Sequence, residues 1–358
     1  MDARHLECLA QHARAAGSSA EEEARAYCAR TLTALGFAAS REPFDYSALP
    51  GQVGTPLAGA VALVMFLGAG HLGYRSHPWI ALAILLSGGV GIATGAWWLA
   101  ARGVLACPWQ RARSTNLVAV RGEPRVWLMA HLDSKSQPVP IVVRALGVTT
   151  CIVLWLLAVA WSLVQGSGAS ISAGWVVIAI AGALGATAVA ASLVRDHSAG
   201  ALDNASGVAA VLTVVEQLPR GIGVGVVLTS AEELGLAGAR AWVRGRTSGG
   251  VAINFDGIDD TGGVRLTYRR TAPVRLLAAF TRASAATGVP TRNGRVPSGV
   301  LVDGVALADA GWEVVTLSRG TWRTVARIHT PRDDLAHLTG SGIADPARLV
   351  VRVIEEMT

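Results

Sequence analysis

Four apolar blocks without a charged side chain most constrain the fold of this 358-residue chain. Each block approaches or exceeds the about 20 residues that a helix needs to cross a bilayer. Tryptophans lie in or beside the blocks, several near an end, as interfacial anchors do. The alternative is a set of buried core helices, but soluble domains rarely contain four such runs. We therefore expect four transmembrane helices, in two hairpins, over residues 55–74, 79–101, 145–165 and 174–194.

Arginines beside the blocks predict the orientation. Four crossings return the chain to its starting side, so the remaining segments share one compartment. Only Arg75 lies in the short loops on the opposite side. Because positive residues collect on the cytoplasmic side, we expect an integral protein of the cytoplasmic membrane with its polar domain in the cytoplasm. The flanking arginines on that side are Arg102, Arg111, Arg113, Arg144 and Arg195.

Charge and cysteine content narrow the partners. The formal net charge is +6, but the arginines are scattered and form no basic stripe. We expect a lipid bilayer as a partner and no nucleic acid. The four cysteines have no metal-type spacing and fit a reducing compartment, although Cys8 and Cys28 could pair in an oxidising one. The sequence does not predict the oligomeric state.

Apolar strands alternating with helices dominate the chain after residue 200. This alternation predicts an α/β fold with a mixed, mostly parallel sheet flanked by helices. Residues 115–121 and 125–131 are expected to be neighbouring strands joined by a turn. Further strands are expected near 37–44, 222–230, 250–256, 263–268 and 313–318, and helices near 3–15, 19–35, 205–218, 235–245, 273–287, 303–310 and 345–357.

The apolar blocks divide this α/β domain into pieces. Segments 1–54, 102–144 and 195–358 are expected to form one domain. Transmembrane hairpins at 55–101 and 145–194 interrupt it. The second hairpin enters just after a histidine-containing motif, so a site built on that motif is expected at or near the membrane surface.

Five short polar motifs follow predicted strands or begin predicted helices. Since ligands gather at the carboxyl ends of strands in such sheets, we expect the motifs to converge. Histidines and carboxylates are ligands that zinc accepts. Each motif alone has a plain structural explanation, such as a helix cap or a buried histidine. The motifs are His131-Leu132-Asp133-Ser134, Asp203-Asn204-Ala205-Ser206-Gly207, Ser230-Ala231-Glu232-Glu233, Asn254-Phe255-Asp256 and Ile328-His329-Thr330.

Two residue choices inside these motifs indicate chemistry. Glu232 and Glu233 are adjacent at a strand end, where like charges are disfavoured. A division of roles explains them: one binds metal and the other takes a proton from water. Lys135 is the only lysine of the chain. Its place in a motif hints at a local need, although a single lysine can also fall there by chance.

Taken in order, the motifs resemble those of the co-catalytic zinc exopeptidases, metallopeptidase family twenty-eight. That family includes secreted bacterial leucyl aminopeptidases and glutamate carboxypeptidase II, and glutaminyl cyclases are relatives. The resemblance implies a mixed sheet flanked by helices and two zinc ions. It also implies roles for seven residues: His131 and Asp256 as ligands of one zinc, Glu233 and His329 of the other, Asp203 as the bridge, Glu232 as the general base, and Asp133 orienting His131.

The function that the resemblance implies is a membrane-integral aminopeptidase that hydrolyses peptide substrates. Tyr268 is the nearest candidate for an oxyanion-stabilising tyrosine. Two alternatives remain: a single-zinc enzyme of the glutaminyl cyclase or amidohydrolase type, and a non-catalytic membrane receptor or scaffold built on a peptidase fold. The complete set of ligand positions favours the aminopeptidase.

Overall fold

A computed structural model describes residues 3–99, 103–169, 172–246, 249–297 and 299–357. Residues 100 and 101 of the second expected crossing, and Arg102 beside it, lie outside these ranges. The chain divides into two compact units. The sheet unit comprises residues 1–46, 111–136 and 196–358, and the helical unit comprises residues 47–110 and 137–195.

The helices are numbered in chain order over the described residues. Short turns at Ala201–Ala205 and Ser341–Ile343 precede α8 and α13. The helices are α1 (Arg4–Leu9), α2 (Ser19–Ala34), α3 (Leu49–Tyr74), α4 (Pro78–Trp98), α5 (Val104–Ala106), α6 (Ile141–Gly166), α7 (Gly174–Ala190), α8 (Ser206–Gln217), α9 (Ala237–Arg244), α10 (Val274–Thr287), α11 (Asp303–Asp309), α12 (Trp322–Arg327) and α13 (Ala344–Met357).

The strands of the sheet unit form one mixed, eight-stranded sheet with the order β1-β2-β4-β3-β5-β8-β6-β7. Strands β4, β3, β5 and β8 are parallel neighbours, whereas β2 and β6 run antiparallel to β4 and β8. The strands are β1 (Ala38–Ser47), β2 (Arg111–Arg121), β3 (Val126–His131), β4 (Val224–Thr229), β5 (Val251–Ile258), β6 (Gly263–Tyr268), β7 (Thr291–Arg295) and β8 (Glu313–Gly320).

Both faces of the sheet are buried. Leu128 and Ala130 of β3 pack in a large core with α8, α10 and α13, whereas Met129 between them packs on the other face with Trp242 and Trp312. Alternate residues of a strand point to opposite faces, so a strand covered on both sides is apolar throughout. This explains why the central strands appear in the sequence as continuous apolar runs.

Strands β2 and β3 are not neighbours, contrary to the expectation for residues 115–121 and 125–131. Strand β4 lies between them, antiparallel to β2 and parallel to β3. The turn at residues 122–124 reverses the chain but does not determine which strands pair. Val224–Thr229 is fully buried, and the chain inserts it at this central position.

Three further differences concern single elements. Helix α1 ends at Leu9, well before the expected residue 15, because the chain turns to bring Arg14 into the interior. Strand β7 and helix α12 were not expected. Both are short, and β7 is a largely exposed polar strand at the sheet edge, so it has no apolar periodicity to reveal it.

Among the described residues of the helical unit, three helices are long and apolar enough to span a membrane: α3, α4 and α6. The expectation of four such helices is wrong. Helix α7 has only 17 residues and ends at Ala190, although the apolar sequence continues to residue 194. At about 1.5 Å per residue it is roughly 26 Å long, short of the about 30 Å hydrocarbon core.

Small residues bring α3 and α7 close together. A Cβ atom on Gly59 would lie 2.2 Å from the backbone nitrogen of Ala190, and one on Gly70 would lie 2.5 Å from the Cβ of Ala179. Such contacts are typical of helices that associate in lipid. The buried Gln165 side chain donates to the carbonyl of Gly73 and accepts from the Trp175 indole, so its polar atoms are paired.

Candidate metal centre

The seven residues of the predicted site lie around the carboxyl ends of the central parallel strands. All are buried or half-buried. In chain order they are His131 at the end of β3, Asp133 two residues later, Asp203 before α8, Glu232 and Glu233 after β4, Asp256 in β5, and His329 after α12.

Two groups of potential ligands form there. The ligand atoms of His131, Glu232 and Asp256 lie within 4.8 Å of one another. The same holds for Asp203, Glu233 and His329. Each group offers one imidazole and two carboxylates, a set that suits zinc.

Asp203 joins the two groups. Its Oδ1 lies 3.1 Å from Nε2 of His131, and its Oδ2 lies 3.0 Å from Nε2 of His329. Glu233 Oε1 also lies 3.0 Å from the same nitrogen of His329. One carboxylate therefore faces both histidines, which is the geometry of a bridging ligand.

In its neutral form, His131 presents to Asp203 the ring nitrogen that a metal would bind. His131 Nδ1 lies 2.9 Å from the backbone carbonyl of Asp133. A carbonyl only accepts, so Nδ1 donates, and in the neutral ring Nε2 presents a lone pair to Asp203. Two acceptors then face each other at 3.1 Å, close to the ~3.3 Å between two ligand atoms of a tetrahedral zinc.

The second group likewise contains buried polar atoms without hydrogen-bond partners in the described parts of the chain. Glu233 Oε1 and His329 Nδ1 are buried without a hydrogen-bond partner among the described residues. Glu233 Oε1 faces His329 Nε2 without the geometry of a hydrogen bond. This arrangement fits two ligand atoms that would share one cation. The donor set of both groups, nitrogen and carboxylate oxygen only, therefore fits a pair of zinc ions.

Asp133 orients His131 through its backbone rather than through its side chain. The carboxylate oxygen Oδ1 lies 3.8 Å from His131 Nδ1, too far for a hydrogen bond. The carboxylate instead accepts the backbone N–H groups of Glu232 and Glu233, each at 3.1 Å. Asp133 thus fixes the loop that carries both glutamates relative to β3.

Asn204 ties Asp203 to the strand that carries Asp256. Its Nδ2 donates to the carbonyl of Phe255 at 2.8 Å, and its Oδ1 accepts the N–H groups of Gly207 and Gly257. The peptide bond between Asp203 and Asn204 is cis. Side chain and backbone together connect the start of α8 with β5.

Two supporting residues, Asp333 and Arg14, were not predicted from the sequence. Both bind the backbone of the loops that carry the site residues. The Asp333 carboxylate accepts the backbone N–H groups of Leu202 and Asp203. The buried Arg14 guanidinium donates to the carbonyls of Leu9, Leu132, Ala199 and Gly200. Asp333 could have been suspected because it lies four residues after His329, but no local signal marks Arg14.

Asp303 is a second missed carboxylate. It is fully buried, its Oδ2 accepts from the Thr229 hydroxyl, and its Oδ1 has no partner among the described residues. Burial raises its pKa to about 6. In the sequence, an aspartate that begins a helix looks like an ordinary cap.

Burial dominates the electrostatics of the site. It raises the pKa of Glu232 well above its usual value, against the opposing effect of His131. Burial likewise raises the pKa of Asp256 to about 7. For Asp203, burial acts in the same direction, but without a metal the hydrogen bonds and charge of protonated His131 and His329 outweigh it and hold the pKa of Asp203 below its usual range. Glu232 can therefore carry a proton, while Asp203 stays ionised.

Tyr268 does not reach this edge of the sheet. Thr267 of β6 pairs with Thr316 of β8, which is level with Asn254 of β5. Because β6 runs antiparallel to β8, the next residue lies farther from the carboxyl edge than Asn254 does. The register therefore gives no support to Tyr268 as an oxyanion-stabilising residue.

Known proteins resemble this chain in sequence profile and in fold. The sequence profile of peptidase family M28 matches residues 116–354. No curated protein sequence gives a significant match. Among solved structures, an aminopeptidase from Aneurinibacillus sp. strain AM-1 is similar, with 15% identity, a TM-score of 0.56, and 99% of this chain and 92% of that chain covered.

Two further structures have the same fold. BSAP, a zinc aminopeptidase from Bacillus subtilis, has 13% identity and a TM-score of 0.57, with 99% of this chain and 93% of that chain covered. The Porphyromonas gingivalis glutaminyl cyclase has 15% identity and a TM-score of 0.55, with 100% and 99% covered. At these identities the likeness concerns the fold alone.

Proposed function

Because the chain belongs to peptidase family M28, we propose that it is a zinc-dependent aminopeptidase that hydrolyses the N-terminal bond of short peptides. The observation that carries this proposal is the bridging position of Asp203, whose two oxygens face two different histidines. In two-metal hydrolases a shared carboxylate of this kind holds the ions close enough to act on one bond.

The proposal assigns a role to each group. His131 and Asp256 would hold one zinc, Glu233 and His329 would hold the other, and Asp203 would be available to both. Glu232 lies in the first group by distance, but its Oε2 is 3.9 Å from His131 Nε2, compared with 3.1 Å for Asp203 Oδ1. The longer separation supports Glu232 as a general base rather than as a ligand.

In hydrolysis, Glu232 accepts a proton from the attacking water and returns it to the leaving amine, so it ends each cycle ionised. The zinc ions, when bound, polarise the scissile carbonyl and acidify the water. Asp133 keeps Glu232 at a fixed place through the backbone N–H that it accepts.

We propose further that the helical unit lies in a lipid bilayer. The long helices α3, α4 and α6 support this, as do large apolar side chains exposed along them, such as Val64, Leu86 and Leu146. The arginine distribution favours a cytoplasmic sheet unit, since Arg75 alone lies between α3 and α4, whereas Arg111, Arg113 and Arg144 lie between the end of α4 and the first turn of α6. A reporter fused to the C-terminus tests this: activity of a cytoplasmic reporter is expected, and activity of an exported one contradicts it.

The test of the activity uses peptides with free and with blocked amino termini. Purified protein is expected to release the first residue from free peptides only. A chelator should abolish turnover, and added zinc should restore it. Equal cleavage of blocked peptides would contradict an aminopeptidase, and turnover that resists the chelator would contradict a metal centre.

The likeness to a glutaminyl cyclase keeps a second activity in view. A cyclase converts an N-terminal glutamine and releases ammonia without shortening the peptide. Incubation with a glutaminyl peptide distinguishes the two, because hydrolysis shortens the peptide and cyclisation only lowers its mass by one ammonia. One zinc per chain together with cyclisation would replace the aminopeptidase proposal.

A further inference from the structure

Lys135 makes the closest contact of any charged side chain with the ligand Glu233. Its Nζ lies 2.7 Å from Oε2 of Glu233 and 3.3 Å from the backbone carbonyl of the same residue. The opposite carboxylate oxygen, Oε1, faces His329. The two oxygens of Glu233 therefore have different partners.

The contact restrains Glu233 at several points. Its backbone N–H donates to Asp133, its backbone carbonyl and Oε2 accept from Lys135, and only Oε1 remains for a metal. The pair is shielded from water, since the side chains of Lys135 and Glu233 are 16% and 5% exposed. A buried ion pair with a second contact to the backbone differs from an exposed ion pair, which contributes little to stability.

The presence of lysine rather than arginine at position 135 also supports a specific role. The chain has 31 lysines and arginines, and Lys135 is the only lysine among them. An ammonium is compact and donates in three directions, so it can reach one carboxylate oxygen and the nearby carbonyl together. A planar guanidinium tends to engage both oxygens of a carboxylate, which would withdraw Oε1 from the metal.

We propose that Lys135 is a positioning residue that presents Glu233 as a single-oxygen ligand to the zinc shared with Asp203 and His329. The proposal rests on the zinc site of the proposed function. In this role the Lys135 ammonium holds the ligand Glu233 and does not itself bind the metal. Loss of Lys135 therefore weakens one zinc selectively.

The test measures zinc affinity of the full-length protein by chelator competition for wild type, Lys135→Met and Lys135→Arg. Lys135→Met is expected to weaken one of the two zinc ions by about 10–100-fold, the usual effect of losing a group that orients a ligand, and to leave the other unchanged. Lys135→Arg should not restore the affinity. Arg352→Met, which removes a charge from an exposed ion pair, is the matched control and should change neither.

The outcomes separate the possible roles. If Lys135 merely repelled cations, Lys135→Met would bind zinc more tightly, and this result or unchanged affinity overturns the proposal. A lower melting temperature of the metal-free variant, with both zinc ions weakened equally, would show a general structural role and also overturns it. Selective loss of one zinc in a protein without aminopeptidase activity would support Lys135 and overturn only the proposed activity.

Discussion

The two compact units both have apolar cores but differ in the charged side chains that they bury. The sheet unit encloses charged groups around its candidate metal centre, and two of them, Asp133 and Asp333, accept hydrogen bonds from distant backbone. The helical unit encloses glycine and alanine together with a few large side chains such as Phe66 and Trp175, and exposes many other large apolar residues. By contrast, the large apolar residues exposed on the sheet unit are few: Val274, Val300, Leu301, Trp322 and Val325.

The difference shows which force positions atoms in each unit. In the sheet unit, buried charges need partners, so a network of charged hydrogen bonds determines where ligands lie. In the helical unit, lipid would leave no hydrophobic drive between helices, so close contact of small residues determines the packing. The comparison predicts that similar substitutions have different consequences in the two units.

The largest expected effect concerns the general base. Glu232→Gln keeps the shape of the side chain but cannot accept a proton, so kcat should fall by about 10²–10⁴-fold. Zinc content should be unchanged, because the assigned ligands remain. Steady-state kinetics with metal analysis checks this. Turnover near the wild-type rate would remove Glu232 from the mechanism.

A matched pair of valines tests the environments directly. Val64 in the middle of α3 and Val274 at the start of α10 are 71% and 73% exposed. Val64→Asp should impair membrane integration, since a charge at a helix centre costs about 2.5–3.5 kcal/mol in a bilayer. Val274→Asp should have no effect. Alkaline extraction of membranes measures both, and equal behaviour of the two variants would contradict the lipid-facing assignment of α3.

A pair of glycines tests packing within the helical unit. Gly59→Ala places a methyl group against the backbone of Ala190, whereas a Cβ on Gly91 meets nothing within 4 Å. Overpacking should destabilise Gly59→Ala by about 1–3 kcal/mol. Gly91→Ala should be neutral or stabilising, because alanine favours a helix. Thermal unfolding in detergent distinguishes them, and a tolerated Gly59→Ala would show that α3 and α7 are less tightly packed.

The smallest effect concerns two thiols of the sheet unit. Cys8 is exposed, whereas Cys28 is buried and burial raises its pKa to about 12. Because the thiolate is the reactive form, Cys28 should react with a thiol reagent at pH 8 at least about tenfold more slowly than Cys8. Mass spectrometry of labelled peptides checks this. Equal labelling would mean that the helices covering Cys28 open readily.

Much of the fold and the location of the motifs could be predicted from the sequence. Strand ends with histidines and carboxylates are local signals, and the sheet brings His131, Glu232 and Asp256 together as parallel strands require. The insertion of β4 between β2 and β3 could not be predicted, because pairing between distant segments leaves no local pattern.

The supporting contacts were beyond sequence reasoning for a related reason. Arg14 donates to the backbone carbonyls of Leu132 and Gly200. Because every residue has a backbone carbonyl, no residue pattern marks these contacts. The same holds for Asp133, whose carboxylate accepts backbone N–H groups. The length of α7 could not be predicted either, because the apolar composition continues past Ala190, where the helix ends.

Zinc counting by elemental analysis of purified protein tests the two-metal centre most directly. Wild type is expected to hold two zinc ions per chain, His131→Ala and His329→Ala about one each, and Asp203→Ala none, because Asp203 faces both histidines. A wild-type chain with fewer than two zinc ions, or an Asp203→Ala variant that retains both, would contradict the account.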